Sequence, residues 1–367
     1  MSDKANCHAE DPSNCRFHHT GRYATGAWSD EAIAARTPKK KVEIPAPFDS
    51  RRAQSLLKYA FQKPMELAKY APPEALNIAL EEDARNLPIE KAIAVTMPFA
   101  DAYGSRLAEI EKGVLEAKQK SSALRKILTK ANFSLWEKVN GASDDDMARM
   151  KAVIAKNAKM IESLYRNTKD AECRTYAMAL AYSGAGESSF RNLHLGWVDC
   201  LVDPIYVETL KCTIPFMFAP DLLPTEKVKI EHSHDSRSES TSSYIIRFSK
   251  FEEAETLAHE MAHIIEYGNP HILKRCCEFI DYRCKGEKTQ KLSWFADIGR
   301  FHEDEKGRCG NFYHAYCGKD YLDGRGYRFA TEILSMGVEM MLSRPQYFYE
   351  RYKEYFSFVL NLMHGRL

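Results

Sequence analysis

The feature that most constrains this chain is the sequence His-Glu-Met-Ala-His at residues 259–263, which lies inside an apolar run. Residues four apart lie one above the other on an α-helix, so His259 and His263 could bind a single zinc ion. Glu260 would project beside them, where its carboxylate could take a proton from a zinc-bound water. It could later pass that proton to a departing amine. The motif therefore predicts a zinc site with Glu260 as general base.

The flanking residues predict that this motif lies on a buried helix. Ser249 and Glu252 have the spacing of a capping box, and Gly268 is a typical helix end. We therefore expect a helix over 250–267. The β-prone run 243–248 predicts a strand immediately before it.

A catalytic zinc ion needs a third protein ligand and one open position. The spacing with Gly three and His six residues after the second histidine is not met, because Glu266 and Asn269 stand there. A second apolar run, 324–345, is predicted as a helix and carries two carboxylates that are costly to bury without partners. We predict Glu332 as the third ligand and Glu339 as the residue that orients a ligand histidine. The reverse assignment, and exposure of both carboxylates to water, remain alternatives.

The oxyanion formed during peptide hydrolysis needs a hydrogen-bond donor beside the metal. Four candidates precede the second helix, and each could instead pack structurally with its polar end outward: Tyr313, His314, Tyr316 and Tyr321. Of these, we predict Tyr321 as the catalytic donor.

The region 46–167 has the apolar periodicity of helices. Apolar residues recur at spacings of three and four over 107–128 and again over 147–164. Between them, 140–146 reads as a loop in which Ser143 could cap the second helix. The pattern predicts a helical hairpin, with its methionine-rich face in the core.

Charge and hydropathy exclude several classes of protein. The 52 Lys and Arg nearly balance the 51 Asp and Glu, so a formal charge of +1 gives no strong signal for nucleic acid or anionic lipid. No run approaches the roughly 20 apolar residues that span a bilayer, and the polar N-terminus lacks the apolar centre of a secretory signal. We therefore expect a cytoplasmic protein whose 10 cysteines are reduced.

Two groups of cysteines are candidates for a second zinc site. In the polar, tail-like segment 1–45, the residues Cys7, Cys15, His18 and His19 match no standard zinc-finger spacing well, and a tail with incidental thiols is favoured. The second group lacks paired CxxC spacing, and burial as apolar residues is favoured over zinc binding: Cys276, Cys277, Cys284, Cys309 and Cys317.

The order of these motifs, a His-Glu-x-x-His helix followed by a helix that bears a glutamate, resembles the gluzincin plan of thermolysin-type peptidases. In that family the ligand glutamate stands in a Glu-x-x-Ser-Asp context. Here Glu332 is followed by Ser335, but Met336 occupies the Asp position. Glu339 could supply the missing carboxylate. The resemblance implies a zincin-like domain, zinc as cofactor and a protein or peptide substrate.

A second resemblance concerns the C-terminal third of the chain, about 243–367. The segments 282–292, 313–321 and 330–341 are similar to zinc-motif domains of phage and prophage proteins, including some linked to minor head components. The segment 11–20 is similar to the short openings of mobile-element proteins. These resemblances imply no particular substrate.

Together the patterns predict an α+β protein: a tail over 1–45, a helical region over 46–167, and a zincin-like domain over 168–367 with a small sheet and two ligand-bearing helices. The predicted function is a zinc metalloendopeptidase that cleaves a specific protein substrate. The alternatives are a phage-like assembly protein, whose zinc is structural or serves one maturation cut, and an effector with the same chemistry. Glu260 favours an enzyme, because a structural zinc needs no catalytic base. The oligomeric state is left open.

Overall fold

The structure, a computed structural model, describes residues 43–46, 48–69, 83–182, 193–294 and 304–367. These residues are mostly helical and include a small mixed sheet, in agreement with the predicted α+β class. Within these ranges, every helix is too short or too polar to cross a membrane.

The predictions for 1–42, which include the candidate zinc ligands Cys7, Cys15, His18 and His19, concern residues outside this described part.

Three long helices build the N-terminal part: α1 over Ser50–Ala68, α2 over Ile89–Val139 and α3 over Asp144–Ala179. The predicted hairpin is therefore present as α2 and α3. Ser143 caps the start of α3, as the sequence predicts, because its hydroxyl accepts a hydrogen bond of 3.2 Å from the Asp146 amide. The predicted boundary between residues 167 and 168 lies inside the continuous helix α3.

Polar contacts fix how α2 and α3 pair. Asn157 donates to the Asn132 side chain at 2.9 Å, and Asn132 donates to the Ile154 carbonyl at 3.3 Å. Nearer the base of the hairpin, the buried hydroxyls of Ser121 and Thr168 lie 2.6 Å apart. Because these partners meet in one register only, they specify the alignment of two otherwise apolar helix faces.

The remaining elements form the C-terminal part. Its helices are α4 over Pro204–Lys211, α5 over Ile214–Met217, α6 over Ala254–Gly268, α7 over Pro270–Arg283, α8 over Ile333–Ser343, α9 over Pro345–Arg351 and α10 over Lys353–Met363. Its strands are β1 over Leu195–Val198, β2 over Val228–Ser233, β3 over Glu239–Thr241, β4 over Ile245–Ser249, β5 over Gln290–Lys291, β6 over Lys306–Gly307, β7 over Tyr321–Leu322 and β8 over Arg328–Ala330.

The main sheet has the strand order β1-β2-β4-β3. Strands β1, β2 and β4 are parallel, while β3 pairs antiparallel with β4 at the edge. Ile230 and Ile246 are paired and fully buried, so the central strands anchor the sheet in the core. The sequence predicted β2 and β4 but read 233–242 as a loop. Strand β3 is polar, and only its pairing with β4 identifies it as a strand.

Helix α6 carries the His-Glu-x-x-His motif directly after β4, but it begins at Ala254 rather than at the predicted Lys250. The capping box does not form. The Ser249 hydroxyl donates to the Asp235 carbonyl at 2.7 Å, and the Glu252 carboxylate accepts from the Ser238 amide at 2.9 Å. Both side chains therefore fix the loop before β3 instead of capping the helix.

The second predicted helix, 324–345, is also shorter than expected. Helix α8 starts at Ile333, and the residues before it form β8, which pairs with β7. As a result Glu332 is the residue immediately before the helix rather than a residue within it.

One hydrophobic core joins the base of the hairpin to the helices that carry the motif. It contains Leu107 and Tyr176 from the hairpin, Ile264 from α6 and Phe358 from α10. Helices α8 and α10 pack closely at Gly337. A Cβ atom at this position would lie 2.5 Å from the Val359 side chain, so no larger residue fits without a shift. The base of the hairpin is thus part of the same packed unit as the motif.

A cluster of charges also joins the hairpin to the start of α6. Lys169 lies 3.1 Å from the Glu253 carboxylate and 2.8 Å from that of Glu255, and Tyr165 donates to Glu253. Burial raises the pKa of Glu253, but the Tyr165 hydrogen bond and the Lys169 charge outweigh burial and leave that pKa lowered. Lys169 therefore compensates two carboxylates at the N-terminal end of the motif helix.

We expect Lys169→Met to lower the free energy of unfolding by about 2 kcal/mol at neutral pH, because two partly buried carboxylates lose their cation. The control Lys211→Met breaks an exposed 2.8 Å pair with Glu208 and should cost about 0.5 kcal/mol. The lowered pKa of Glu253 contributes stability above its ordinary value of 4.5, and that contribution is lost as the pH falls through the lowered pKa. The difference in the free energy of unfolding between wild type and Lys169→Met should therefore become smaller in acid. Urea titrations at several pH values measure both effects, and equal losses for the two variants would contradict the account.

Candidate metal centre

Helices α6 and α8 bring three potential metal ligands together. His259 and His263 lie one turn apart on α6, with their ring centroids 5.0 Å apart. The Oε2 atom of Glu332 lies 3.3 Å from Nε2 of His259 and 3.1 Å from Nε2 of His263. All three residues are buried, and their ligand atoms lie within 4.8 Å of one another. This group could hold a metal ion.

Two of the three ligand–ligand separations match those of a tetrahedral metal site. Two ligands bonded to zinc at its usual distances and at a tetrahedral angle lie about 3.3 Å apart. The two measured nitrogen–oxygen separations, 3.3 and 3.1 Å, are close to that value. Two imidazoles and one carboxylate also form a donor set that zinc accepts readily.

Glu332 and the two histidines stabilise each other's charged forms. Burial raises the pKa of Glu332, but the neighbouring His263 and His259 outweigh it and hold that pKa well below its ordinary value. Burial lowers the pKa of His259, yet its hydrogen bonds to Glu332 and Glu339 raise the pKa to about 9. For His263 too, Glu332 outweighs burial and the pKa is raised. Glu332 is therefore ionised at neutral pH, and a bound metal ion must displace protons from the imidazoles.

Glu339 lies on the other side of His259. Its Oε2 atom is 3.1 Å from Nδ1 of His259, and its side chain is about one third exposed. Of the two predicted carboxylates, Glu332 faces the Nε2 atoms of both histidines, whereas Glu339 faces the remaining ring nitrogen of one. This geometry favours Glu332 as ligand and Glu339 as the residue that orients His259.

Sequence reasoning did not recognise the part played by Glu266. This buried carboxylate accepts from the Thr331 amide at 2.9 Å and from the Thr331 hydroxyl, and its Oε2 atom lies 4.0 Å from Nδ1 of His263. It therefore links α6 to the residue before Glu332. A signal was present, because Glu266 follows His263 by three residues inside an apolar helix, where a carboxylate needs partners.

The residues that follow Glu332 depart from the gluzincin pattern in the way the sequence indicated. Ser335 matches the pattern, and its hydroxyl donates to Glu332 Oε2 at 3.0 Å. Met336 stands where the family has Asp. Glu339, one turn further along α8, provides a carboxylate beside His259.

Glu260 lies next to His259 on α6 and is 5% exposed. Burial raises its pKa, and the charges of His259 and His263 only partly oppose this. The edge strand β3, which carries Ser240, contacts α6. A raised pKa suits a general base, because proton transfer is most efficient when that pKa approaches the working pH.

Tyr321 does lie at this group. Its hydroxyl donates to Glu332 Oε1, and the hydroxyl of Tyr316 is 3.2 Å away. Because the proton of Tyr321 is donated to the carboxylate, Tyr316 is the donor between the two phenols. Tyr316 in turn accepts from Arg237 at 2.7 Å and from Lys319 at 3.3 Å. Burial raises the pKa of both tyrosines, so both are neutral phenols.

The other two candidate donors serve local structure. The Tyr313 hydroxyl donates to the Met336 carbonyl at 3.0 Å, within the packing of α8. His314 accepts from the Tyr316 amide at 3.2 Å and caps a short 3₁₀ turn.

The second group of cysteines is distributed between core and surface. Within the described residues, none of its members belongs to a metal-binding group, and all are free thiols: Cys276, Cys284 and Cys317 are buried, Cys277 is partly buried and Cys309 is exposed. The placement of the three buried members agrees with the preferred reading of them as apolar residues.

No protein-family model, curated protein or solved structure matches this chain. The resemblances to gluzincins and to phage proteins therefore remain predictions.

The two carboxylates should differ in their effect on metal affinity. We expect Glu332→Ala to lower zinc affinity by more than about 100-fold, because a ligand is lost, and Glu339→Gln by about 10-fold, because an orienting partner is weakened. Competition with a chromophoric chelator measures both constants. The reverse order would show that Glu339 is the third ligand.

Removal of the Tyr321 hydroxyl should weaken the site without removing a ligand. We expect Tyr321→Phe to lower zinc affinity by about 10-fold, since Glu332 loses a hydrogen bond that holds it in place. Tyr327→Phe is the matched control, because Tyr327 precedes the next strand of the same small sheet and is 71% exposed. Equal zinc affinity in the two variants would contradict a supporting role for Tyr321.

Proposed function

We propose that this protein is a zinc-dependent endopeptidase that hydrolyses a peptide bond in a specific protein substrate. The observation that carries the proposal is the buried group His259, His263 and Glu332, together with the buried Glu260, whose pKa responds to the charges of all three. Two imidazoles and one carboxylate leave an open position for water and substrate on a tetrahedral zinc ion.

Within this proposal, each residue has a defined task. A zinc ion bound by His259, His263 and Glu332 would supply Lewis acidity for the scissile carbonyl and for a bound water. The carboxylate of Glu260 would accept a proton from the attacking water and would then donate it to the departing amine. Glu339 fixes the ring of His259 through Nδ1, so that Nε2 faces the ligand position.

Tyr321 remains the proposed donor to the oxyanion. In the arrangement described above, its hydroxyl donates to Glu332. To serve the reaction it must exchange this acceptor for the substrate oxygen, while Tyr316 continues to donate to it. Its raised pKa keeps the phenol protonated, and a protonated phenol is the form that can donate a hydrogen bond.

An enzymatic role is favoured over a purely structural zinc site. Structural zinc ions usually have four protein ligands and no carboxylate base beside them. Here the described part of the chain offers a group of three ligands, and Glu260 is buried next to two of them. In this proposal the hairpin, which Lys169 links to α6, helps to select or position the substrate.

The role of Glu260 can be separated from metal binding by Glu260→Gln. We expect this variant to bind zinc normally and to lose peptide hydrolysis by at least about 100-fold, because the amide cannot accept the proton. Cleavage of a mixed peptide library, followed by mass spectrometry, provides the activity measurement without a known substrate. Glu208→Gln, which changes an exposed glutamate on α4, should keep full activity. Undiminished hydrolysis by Glu260→Gln would exclude the proposed mechanism.

A further inference from the structure

Arg237 lies beside the proposed active site on its sheet side. It belongs to the connection between β2 and β3 and lies two residues before the edge strand β3. Strand β3 contacts α6, the helix that carries Glu260. A peptide that reaches Glu260 would therefore pass close to the chain segment that carries Arg237.

Hydrogen bonds tie the same guanidinium to the metal ligands. Nη2 of Arg237 donates to the Tyr316 hydroxyl at 2.7 Å, Tyr316 donates to Tyr321, and Tyr321 donates to Glu332. The guanidinium carbon lies 5.5 Å from the centre of the Tyr316 ring, which restrains the side chain further. Arg237 is thus held at a defined position, three hydrogen bonds from the third ligand.

The hydrogen-bonding capacity of Arg237 is mostly unused. A guanidinium has five N–H groups, and in the part of the chain that the structure describes only Nη2 of Arg237 makes a hydrogen bond. The Glu305 carboxylate is 3.8 Å from Nη1, beyond hydrogen-bond distance, and lies closer to Lys319 at 2.7 Å. The side chain of Arg237 is 47% exposed. Among the described residues, the donors of Arg237 other than Nη2 therefore have no hydrogen-bond partner, although Glu305 lies at ion-pair distance.

A nearby surface arginine is paired with carboxylates. Arg247 on β4 is 49% exposed, nearly the same as Arg237, but it donates to the Glu239 carboxylate at 2.6 Å and lies 3.7 Å from Glu231. Arg247 hydrogen-bonds a carboxylate of its own sheet, whereas Arg237 has a carboxylate only at ion-pair distance among the described residues.

We infer that Arg237 binds a carboxylate of the substrate, and this inference rests on the proposed peptidase function. A restrained guanidinium with open donors suits bidentate recognition of a carboxylate, which is directional and charge-assisted. The substrate class is then a peptide with a carboxylate close to the scissile bond. That carboxylate belongs either to an acidic side chain or to the C-terminus of the peptide.

The test uses the zinc-loaded protein and peptides that carry a hydroxamate as zinc-binding group. One panel places Glu or Gln at each of the three positions on either side of the hydroxamate, and a second panel compares a free C-terminal carboxylate with its amide. For wild type we expect at least about 10-fold tighter binding of the carboxylate member at one position or at the C-terminus. The panel that shows the preference identifies the source of the carboxylate.

Variants assign the preference to Arg237. Arg237→Gln should abolish the difference between the paired peptides while zinc content stays the same, and Arg237→Glu should instead favour a Lys peptide over the Glu peptide. Arg247→Gln, the exposed and paired control, should retain the wild-type preference. The side chains of Arg237 and Arg247 are both about half exposed, so these variants should fold.

Three results would overturn the inference in distinguishable ways. Equal affinity for both members of every pair in the wild type, with tight binding of the neutral peptides, would reject recognition by Arg237 and leave the peptidase proposal intact. A preference that survives in Arg237→Gln would assign recognition to another residue. A protein that binds neither zinc nor any hydroxamate would reject the peptidase proposal together with this inference.

Discussion

The structure depends on one buried carboxylate. Glu332 is 1% exposed, and an ionised group in that position must be compensated by charge and hydrogen bonds. Two imidazoles lie at 3.1 and 3.3 Å from one of its oxygens, and a tyrosine hydroxyl donates to the other. A metal ion bound by His259, His263 and Glu332 would replace the imidazole protons as the positive charge beside this carboxylate. Burial of an ionised carboxylate costs free energy, and the contacts that offset this cost also hold Glu332 in one position.

The surrounding fold holds the two sides of this group in place. Glu266 joins α6 to Thr331, the residue before Glu332, so the histidines and the carboxylate are fixed to each other through buried hydrogen bonds. Lys169 joins the hairpin to the start of α6 through two carboxylates. Because the base of the hairpin also shares its core with α6, α8 and α10, a disturbance of the hairpin should reach the site.

The sequence allowed the local part of this arrangement to be predicted. Helical spacing predicted that His259 and His263 share a face, and the cost of burying carboxylates singled out Glu332 and Glu339. The start of α6 was predicted incorrectly, because Ser249 bonds to the Asp235 carbonyl rather than capping the helix. The link from Arg237 to Tyr316 joins residues 79 positions apart, and no local pattern encodes such a contact. Local periodicity thus predicts which residues share a face, and tertiary packing decides which distant side chains meet them.

One metal ion held by two imidazoles and a carboxylate is the feature on which the proposed chemistry depends, and X-ray absorption at the zinc edge of the purified protein tests it most directly. We expect one zinc per chain, with nitrogen and oxygen neighbours at about 2.0–2.2 Å, imidazole scattering from two histidines and no sulfur neighbour. A shell of sulfur at about 2.3 Å would place the zinc on cysteines instead. That result, or a protein that retains no zinc, would contradict the account.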